Sequence, residues 1–213
     1  TGDFHVGQYV SRGRSHHVLE PVPLTVCVRA WNLDFSDWVG GYRDGVHAVL
    51  VKTRSYPSDS MDSKVKHNNR INFALAQLEA TDVDPGAYPI LQDMNGNITE
   101  NIQANVFVVQ GGTIKTPGDR GSLQGDARKL IGQIAGTLQI PVVEEDLQPY
   151  DLYTADEVFM SNTAYCVMPV GRVDSRPVGT EVPGPITMQL QAAWSEMVGL
   201  DIVDQASNYV PGS

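Results

Sequence analysis

Apolar and polar residues recur along this chain at two different periods, and the change from one to the other marks most of its elements. Residues 4–10 and 24–30 read as strands on either side of a polar break, Ser11-Arg12-Gly13-Arg14-Ser15-His16-His17. A third strand is predicted over 45–53, through Val46, Val49, Leu50 and Val51. Beyond Ser55-Tyr56-Pro57-Ser58 the period lengthens. Ile71, Ala74, Leu75 and Leu78 fall at i, i+3, i+4 and i+7 within 69–80, one apolar face of a helix. Runs 89–93 and 97–100 flank Asn95-Gly96, and 105–110 and 113–116 flank Gly111-Gly112, the pattern of two tight hairpins. A helix is predicted over 126–138, capped by Asp126, with Leu130, Ile131, Ile134 and Leu138 on its buried side. Strands follow at 158–160 and 167–173, then a last helix over 185–198 with proline in its first turn. Hairpins with helices between groups of them make a mixed α/β (α+β) class rather than a regular alternation of parallel strands and helices.

The small, glycine-bearing stretch Ser36-Asp37-Trp38-Val39-Gly40-Gly41 reads as a break in this pattern. It divides the chain into a short N-terminal piece, 1–38, a linker, 39–44, and a main domain, 45–213. The chain opens on Thr1 rather than methionine, which reads as a start lying further upstream. Composition fits this division: 213 residues, 41% hydrophobic and 19% charged, suffice for one large domain or two small ones. A formal charge of -10 argues against a nucleic-acid partner or an anionic membrane surface. No apolar run approaches the roughly 20 residues of a membrane span. Cys27 and Cys166 lie far apart, which excludes a disulfide scaffold and favours a reducing, cytoplasmic setting.

Candidate chemistry lies at the ends of the predicted strands. The sequence holds no phosphate-binding GxxxxGK[ST], no HExxH and no GxSxG. His16-His17 lacks carboxylate or cysteine companions, so no metal site is expected. Lys66 stands just before the amphipathic helix, Glu100 ends a hairpin strand, and Asn162 and Thr163 follow Val158-Phe159-Met160. Gly125 precedes a helix whose free N–H groups can hold an anion. A lysine, a carboxylate and an anion cradle are the parts a pyridoxal phosphate enzyme needs.

The strings around these residues resemble a known family. Val65-Lys66-His67-Asn68-Asn69-Arg70-Ile71-Asn72-Phe73-Ala74-Leu75-Ala76-Gln77-Leu78-Glu79-Ala80 is similar to the lysine segment of the class IV pyridoxal-phosphate aminotransferases. Ile98-Thr99-Glu100-Asn101-Ile102-Gln103-Ala104-Asn105-Val106-Phe107 resembles that family's TEGxxxNxF segment. Residues 153–164 resemble its ADEVFxxxTA segment, and Gly184-Pro185-Ile186-Thr187 its late GPIT. Two positions depart from the pattern: Asn101 replaces the usual glycine, and Gly125-Asp126-Ala127 replaces GIT or GVT.

The resemblance implies the fold type IV, D-aminotransferase-like architecture, with a C-terminal pseudo-barrel domain and the remnant of a small N-terminal α/β domain in 1–38. It implies pyridoxal 5'-phosphate as cofactor, carried by Lys66 as a Schiff base, with Glu100 at the pyridine nitrogen. Asn105, Gly125, Asp126, Ala127, Asn162 and Thr163 would complete the cofactor site. Arg14 and His16 resemble the pair with which D-amino-acid aminotransferases hold a substrate carboxylate, and Ala164 falls at a substrate position. The activity implied is a ping-pong transfer of an amino group from an amino acid (branched-chain or D-) or amine to a 2-keto acid, in a homodimer. An aminodeoxychorismate-lyase-like enzyme, to which Lys66-His67-x-Asn-Arg70 is also similar, and a non-catalytic relic of the fold remain as alternatives.

Overall fold

The computed structural model describes residues 3–209. Two strands, β1 (Phe4–Ser11) and β2 (Thr25–Asn32), pair antiparallel as a sheet of their own, with Phe4 opposite Asn32 and Ser11 opposite Thr25. One face of this ribbon is left open by the described residues: Phe4, Val6, Val10, Val26 and Val28 share it and are all exposed.

The other nine strands form one sheet. They are β3 (Val46–Arg54), β4 (Tyr88–Gln92), β5 (Ile98–Asn101), β6 (Asn105–Gln110), β7 (Thr113–Thr116), β8 (Val142–Glu144), β9 (Glu157–Asn162), β10 (Cys166–Val173) and β11 (Arg176–Pro177). Their order is β11-β10-β3-β4-β5-β6-β7-β8, and β9 pairs with both β10 and β6. The double pairing of β9 closes β10, β3, β4, β5, β6 and β9 into a ring. Pairing is parallel between β3 and both β10 and β4, and between β7 and β8.

Helices then cover the ring in the places its apolar residues require. β6 reads Asn-Val-Phe-Val-Val, apolar on both faces, because both are buried. Val106 and Val108 meet Ile90, Ile98, Leu147, Leu152, Met160 and Met168 in one core. Phe107 and Val109 meet Phe159 and Val167 in a second core, beneath α3 (Asp126–Thr137) and α5 (Pro185–Val198). Phe107 and Phe159 are partners in the ladder, and their rings stack 4.8 Å apart. A third core sets Ala76 and Ala80 of α2 (Ile71–Val83) against Val49, Val51, Ala87 and Leu91.

The structure corrects three expectations. Residues 39–44 are no linker: Val39–Asp44 form helix α1, and Tyr42 is buried with its hydroxyl donating to the Tyr165 carbonyl at 2.6 Å. Gly41 serves close packing, since a Cβ there would lie 2.7 Å from Met168 Sδ. The apolar stripe of α2 does not face the core. Ile71, Leu75 and Leu78 are exposed, and small residues, Ala76 and Ala80, make the contact with the sheet. Asp126 does not cap α3: Gly125 is the N-cap, and the Asp126 side chain points into solvent beside Lys129. Three short elements that carry little periodicity, β8, α4 (Pro149–Tyr153) and α6 (Ile202–Ser207), complete the chain.

Candidate active site at the start of helix α3

The ladder itself assembles the first three groups. Glu100 on β5 pairs with Asn105 on β6, and Asn105 pairs with Ser161 on β9. Directly opposed residues share a face, so all three side chains rise from the same side of the ring. This is the side α3 covers, and the segment leading into α3 is tied to the row. Asn105 Nδ2 donates to the Leu123 carbonyl at 2.7 Å, and the Leu123 N–H donates to Glu100 Oε2 at 2.9 Å. Gly125 then lies so near that a Cβ would stand 2.6 Å from Asn105 Oδ1. The 12-residue α3 starts at that point, with the unpaired N–H groups of its first turn and the positive end of its dipole beside the row. An anion cradle thus stands against a half-buried carboxylate.

Ser161 Oγ is buried and has no hydrogen-bond partner among the described residues. Buried hydroxyls are nearly always satisfied, so a group from outside the chain is the natural partner. At the end of β9 the Asn162 Oδ1 accepts from the N–H groups of Ala164 and Tyr165, both at 2.9 Å, which fixes the turn. That leaves the Asn162 Nδ2 and the exposed Thr163 hydroxyl as donors there. Asp126 offers the site only its backbone, because its side chain is 89% exposed, and the Ala127 methyl is packed into the second core.

Glu100 is electrostatically perturbed. Burial pushes its carboxyl up to about 7, against the opposing pull of the Leu123 N–H and of the cationic Arg70, Lys66 and Arg128. Lys66 lies in the connection between β3 and α2, exposed, and it is near enough to Glu100 to act on it. Arg128 is the buried member of an ion pair with Glu144 at 2.8 Å. Arg70 donates to the Ile102 carbonyl, in the turn between Glu100 and Asn105, and stacks 4.1 Å over the Phe73 ring.

Lys66, Glu100, Asn105, Gly125, Asp126 and Ala127 are therefore gathered in one region, with Asn162 and Thr163 at the end of the neighbouring strand. Arg14 and His16 are not joined to these residues. Both are exposed in the loop between β1 and β2, and no hydrogen bond or ion pair among the described residues joins them to Lys66 or Glu100. Ser161 does not stand out in the sequence, and Arg70 does so only as the end of the Lys66-His67-x-Asn-Arg70 string. The signal that marks Ser161 is the pairing of Asn105 with the residue preceding Asn162, and it is a tertiary fact. The ADEVF and GPIT strings also acquire a reason. Glu157 Oε1 accepts from the Ile186 N–H at 2.8 Å, and Oε2 accepts from the Thr187 N–H and hydroxyl at 2.8 and 2.7 Å. The two strings meet at the start of α5, where Glu157 anchors a helix rather than a ligand. No group of three metal-ligating side chains occurs among the described residues. A cleft of about 560 Å³ lined by His47, Asp84 and Arg172 contains none of the site residues.

Comparison with known proteins points to one family. A family model described as amino-transferase class IV matches residues 9–173. A putative branched-chain-amino-acid aminotransferase of Methanocaldococcus jannaschii is 35% identical over 155 residues, covering 72% of this chain and 54% of that protein. A probable branched-chain-amino-acid aminotransferase of Thermotoga maritima is 33% identical over 156 residues, covering 72% and 56%. The T.th. branched-chain amino acid aminotransferase, solved with pyridoxamine 5'-phosphate, superposes with a TM-score of 0.82 at 30% identity, over 92% of this chain and 65% of that one. That of Thermoproteus uzoniensis, solved with norvaline, gives 0.81 at 25% identity over the same shares. The chain spans about half the length of these curated relatives and just under two thirds of the solved ones.

Proposed function

We propose a function from one established point: the chain belongs to the class IV amino-transferase family. It is the cofactor-binding part of a pyridoxal-phosphate-dependent aminotransferase, acting between a branched-chain amino acid and a 2-keto acid. The observation that carries this reading is the row Glu100–Asn105–Ser161 standing beside the start of α3.

The residues present fit the group. The partnerless Ser161 hydroxyl, the space kept by Gly125 and the free N–H groups of α3 suit a dianionic phosphate. The half-buried Glu100 suits a ring nitrogen that must stay protonated. When bound, pyridoxal phosphate supplies a carbonyl that condenses with amines and a ring that accepts electrons from carbon. Lys66 Nζ would hold it covalently, and its free amine could move the substrate Cα proton as base and then acid. Glu100 would accept a hydrogen bond from the protonated ring nitrogen. Asn105 and the Leu123 peptide fix the rotamer of Glu100 and the distance from α3 to the strand. Asn162, Thr163 and the backbone at 125–127 hold the phosphate, and Ala164 borders the substrate. Arg14 and His16 reach a substrate carboxylate only if their ribbon packs over a site, on this subunit or a partner.

A homodimer completes the proposal. The exposed Ile71, Leu75 and Leu78 on α2, the helix that follows Lys66, support a second copy packing there. Residues 1–38 are read as the end of a small N-terminal domain, which the open apolar face of the ribbon and the partial coverage of relatives support. Two free cysteines support a cytoplasmic setting. Borohydride reduction of the protein mixed with pyridoxal phosphate, followed by peptide mass mapping, tests the central step. An adduct on Lys66 is expected, and one on Lys64 or Lys52 would overturn the assignment. Leucine should then discharge the bound chromophore faster than D-alanine or an amine without a carboxylate.

A further inference from the structure

We propose that Arg70 is a positioning residue: its guanidinium fastens the segment carrying Lys66 to the turn that follows Glu100 and sets a permanent positive charge beside that turn. The inference rests on the reading of Glu100 given above. Arg70 is the N-cap residue of α2, four positions after Lys66, and its guanidinium donates to the Ile102 carbonyl. Ile102 lies between Glu100 and Asn105, in the only stretch of chain joining those two paired residues. One hydrogen bond thus links the loop bearing the lysine to the turn bearing the carboxylate. Stacking on Phe73, within the first turn of α2, limits the directions in which the side chain can swing.

The charges around Glu100 explain why an arginine suits this place. Four groups favour its ionised form: the Leu123 N–H from the segment before α3, Arg70 beside α2, Lys66 from the β3–α2 connection, and Arg128 from α3. Arg128 is already matched by Glu144. Lys66 changes its charge in the reaction proposed above. Arg70 alone among these cations is neither neutralised by a carboxylate within hydrogen-bond reach nor consumed by the chemistry. A guanidinium stays charged at any working pH, and it can donate to Ile102 while keeping other N–H groups directed elsewhere.

The test needs no cofactor. Protein labelled with 13C at the glutamate carboxyls is titrated by NMR, with the Glu100 signal assigned by its loss in Glu100→Gln. Arg70→Met should raise the Glu100 midpoint by about one pH unit, the lower end of what a nearby opposite charge confers. Arg70→Gln can still donate to Ile102 but carries no charge, and it should raise the midpoint by a similar amount. Arg70→Lys should bring the midpoint back by at least half of that rise. A midpoint unmoved in both neutral variants overturns the proposal, and so does a lysine variant that behaves like them. Failure of pyridoxal phosphate to mark Lys66, with the midpoint shifted as expected, would strike the proposed function and leave the Arg70–Glu100 coupling standing.

Discussion

Glu100 carries the clearest prediction at the scale of one residue. Its carboxyl ordinarily titrates near 4.5, and burial lifts it to about 7 in the folded, cofactor-free protein. A carboxyl whose pKa rises on folding stabilises the fold fully below its ordinary value. That contribution is lost as pH climbs through the window from 4.5 to 7, by up to about 1.4 kcal/mol per pH unit. Urea midpoints should therefore fall more steeply across that window in the native protein than in Glu100→Gln, and parallel curves would contradict the perturbed carboxyl. Gly125 gives a second test. A methyl group there meets Asn105 Oδ1 at 2.6 Å, so Gly125→Ala should displace the Asn105 side chain and weaken pyridoxal phosphate binding about tenfold, which is ~1.4 kcal/mol. Titration of the chromophore measures it, and unchanged affinity would remove Gly125 from the cradle. Lys66 and Glu100 are legible in the sequence because each stands inside a recognisable string. Ser161 is not, since the fact that marks it is a hydroxyl left without a partner once β9 lies against β6.

Among elements, those closed by local chemistry are the most legible. The Asn95-Gly96 turn is held by Asp93, whose Oδ1 accepts from the N–H groups of Asn95 and Asn97, both at 2.8 Å, while Gly96 takes a φ of +89°. These are interactions among neighbours, and the sequence contains them whole. α5 starts at Pro185 for a comparable reason, but its anchor is distant in sequence. Glu157→Ala would leave the Ile186 and Thr187 N–H groups without their acceptor and should cost about 3 kcal/mol, read as a lower urea midpoint with unchanged slope. A loss below about 0.5 kcal/mol would mean that Pro185 and Gly184 start the helix unaided. α2 shows the opposite case. Its apolar period is real, yet the stripe lies outward, because periodicity says which residues share a face and not what that face meets. α1 is hidden by Gly40 and Gly41, residues that weaken a helix on its own, although Gly41 admits close contact with Met168.

At the scale of the whole molecule, the outward stripe of α2 and the open β1–β2 ribbon are two apolar surfaces that the described chain does not cover. Leu75→Glu with Leu78→Lys should leave the far-UV spectrum unchanged and shift sedimentation from dimer to monomer, and a dimer that survives would move the partner to another face. The closed ring has a consequence of a different kind, which concerns time. β3 is complete by Arg54, but its partner β10 is not made until Val173, and Val46 must wait for Val170. β6 likewise waits for β9 to cover its second edge. On the ribosome, a partly made sheet therefore stands with two unsealed borders, Val-rich on β3 and on β6, until the last third of the chain emerges. Such a topology folds slowly for its size and is exposed to mispairing while it waits. Chaperone demand and aggregation during synthesis should accordingly fall sharply once translation passes β10, and a nascent chain stalled just before residue 166 should be far more protease-sensitive than one stalled well beyond Val173.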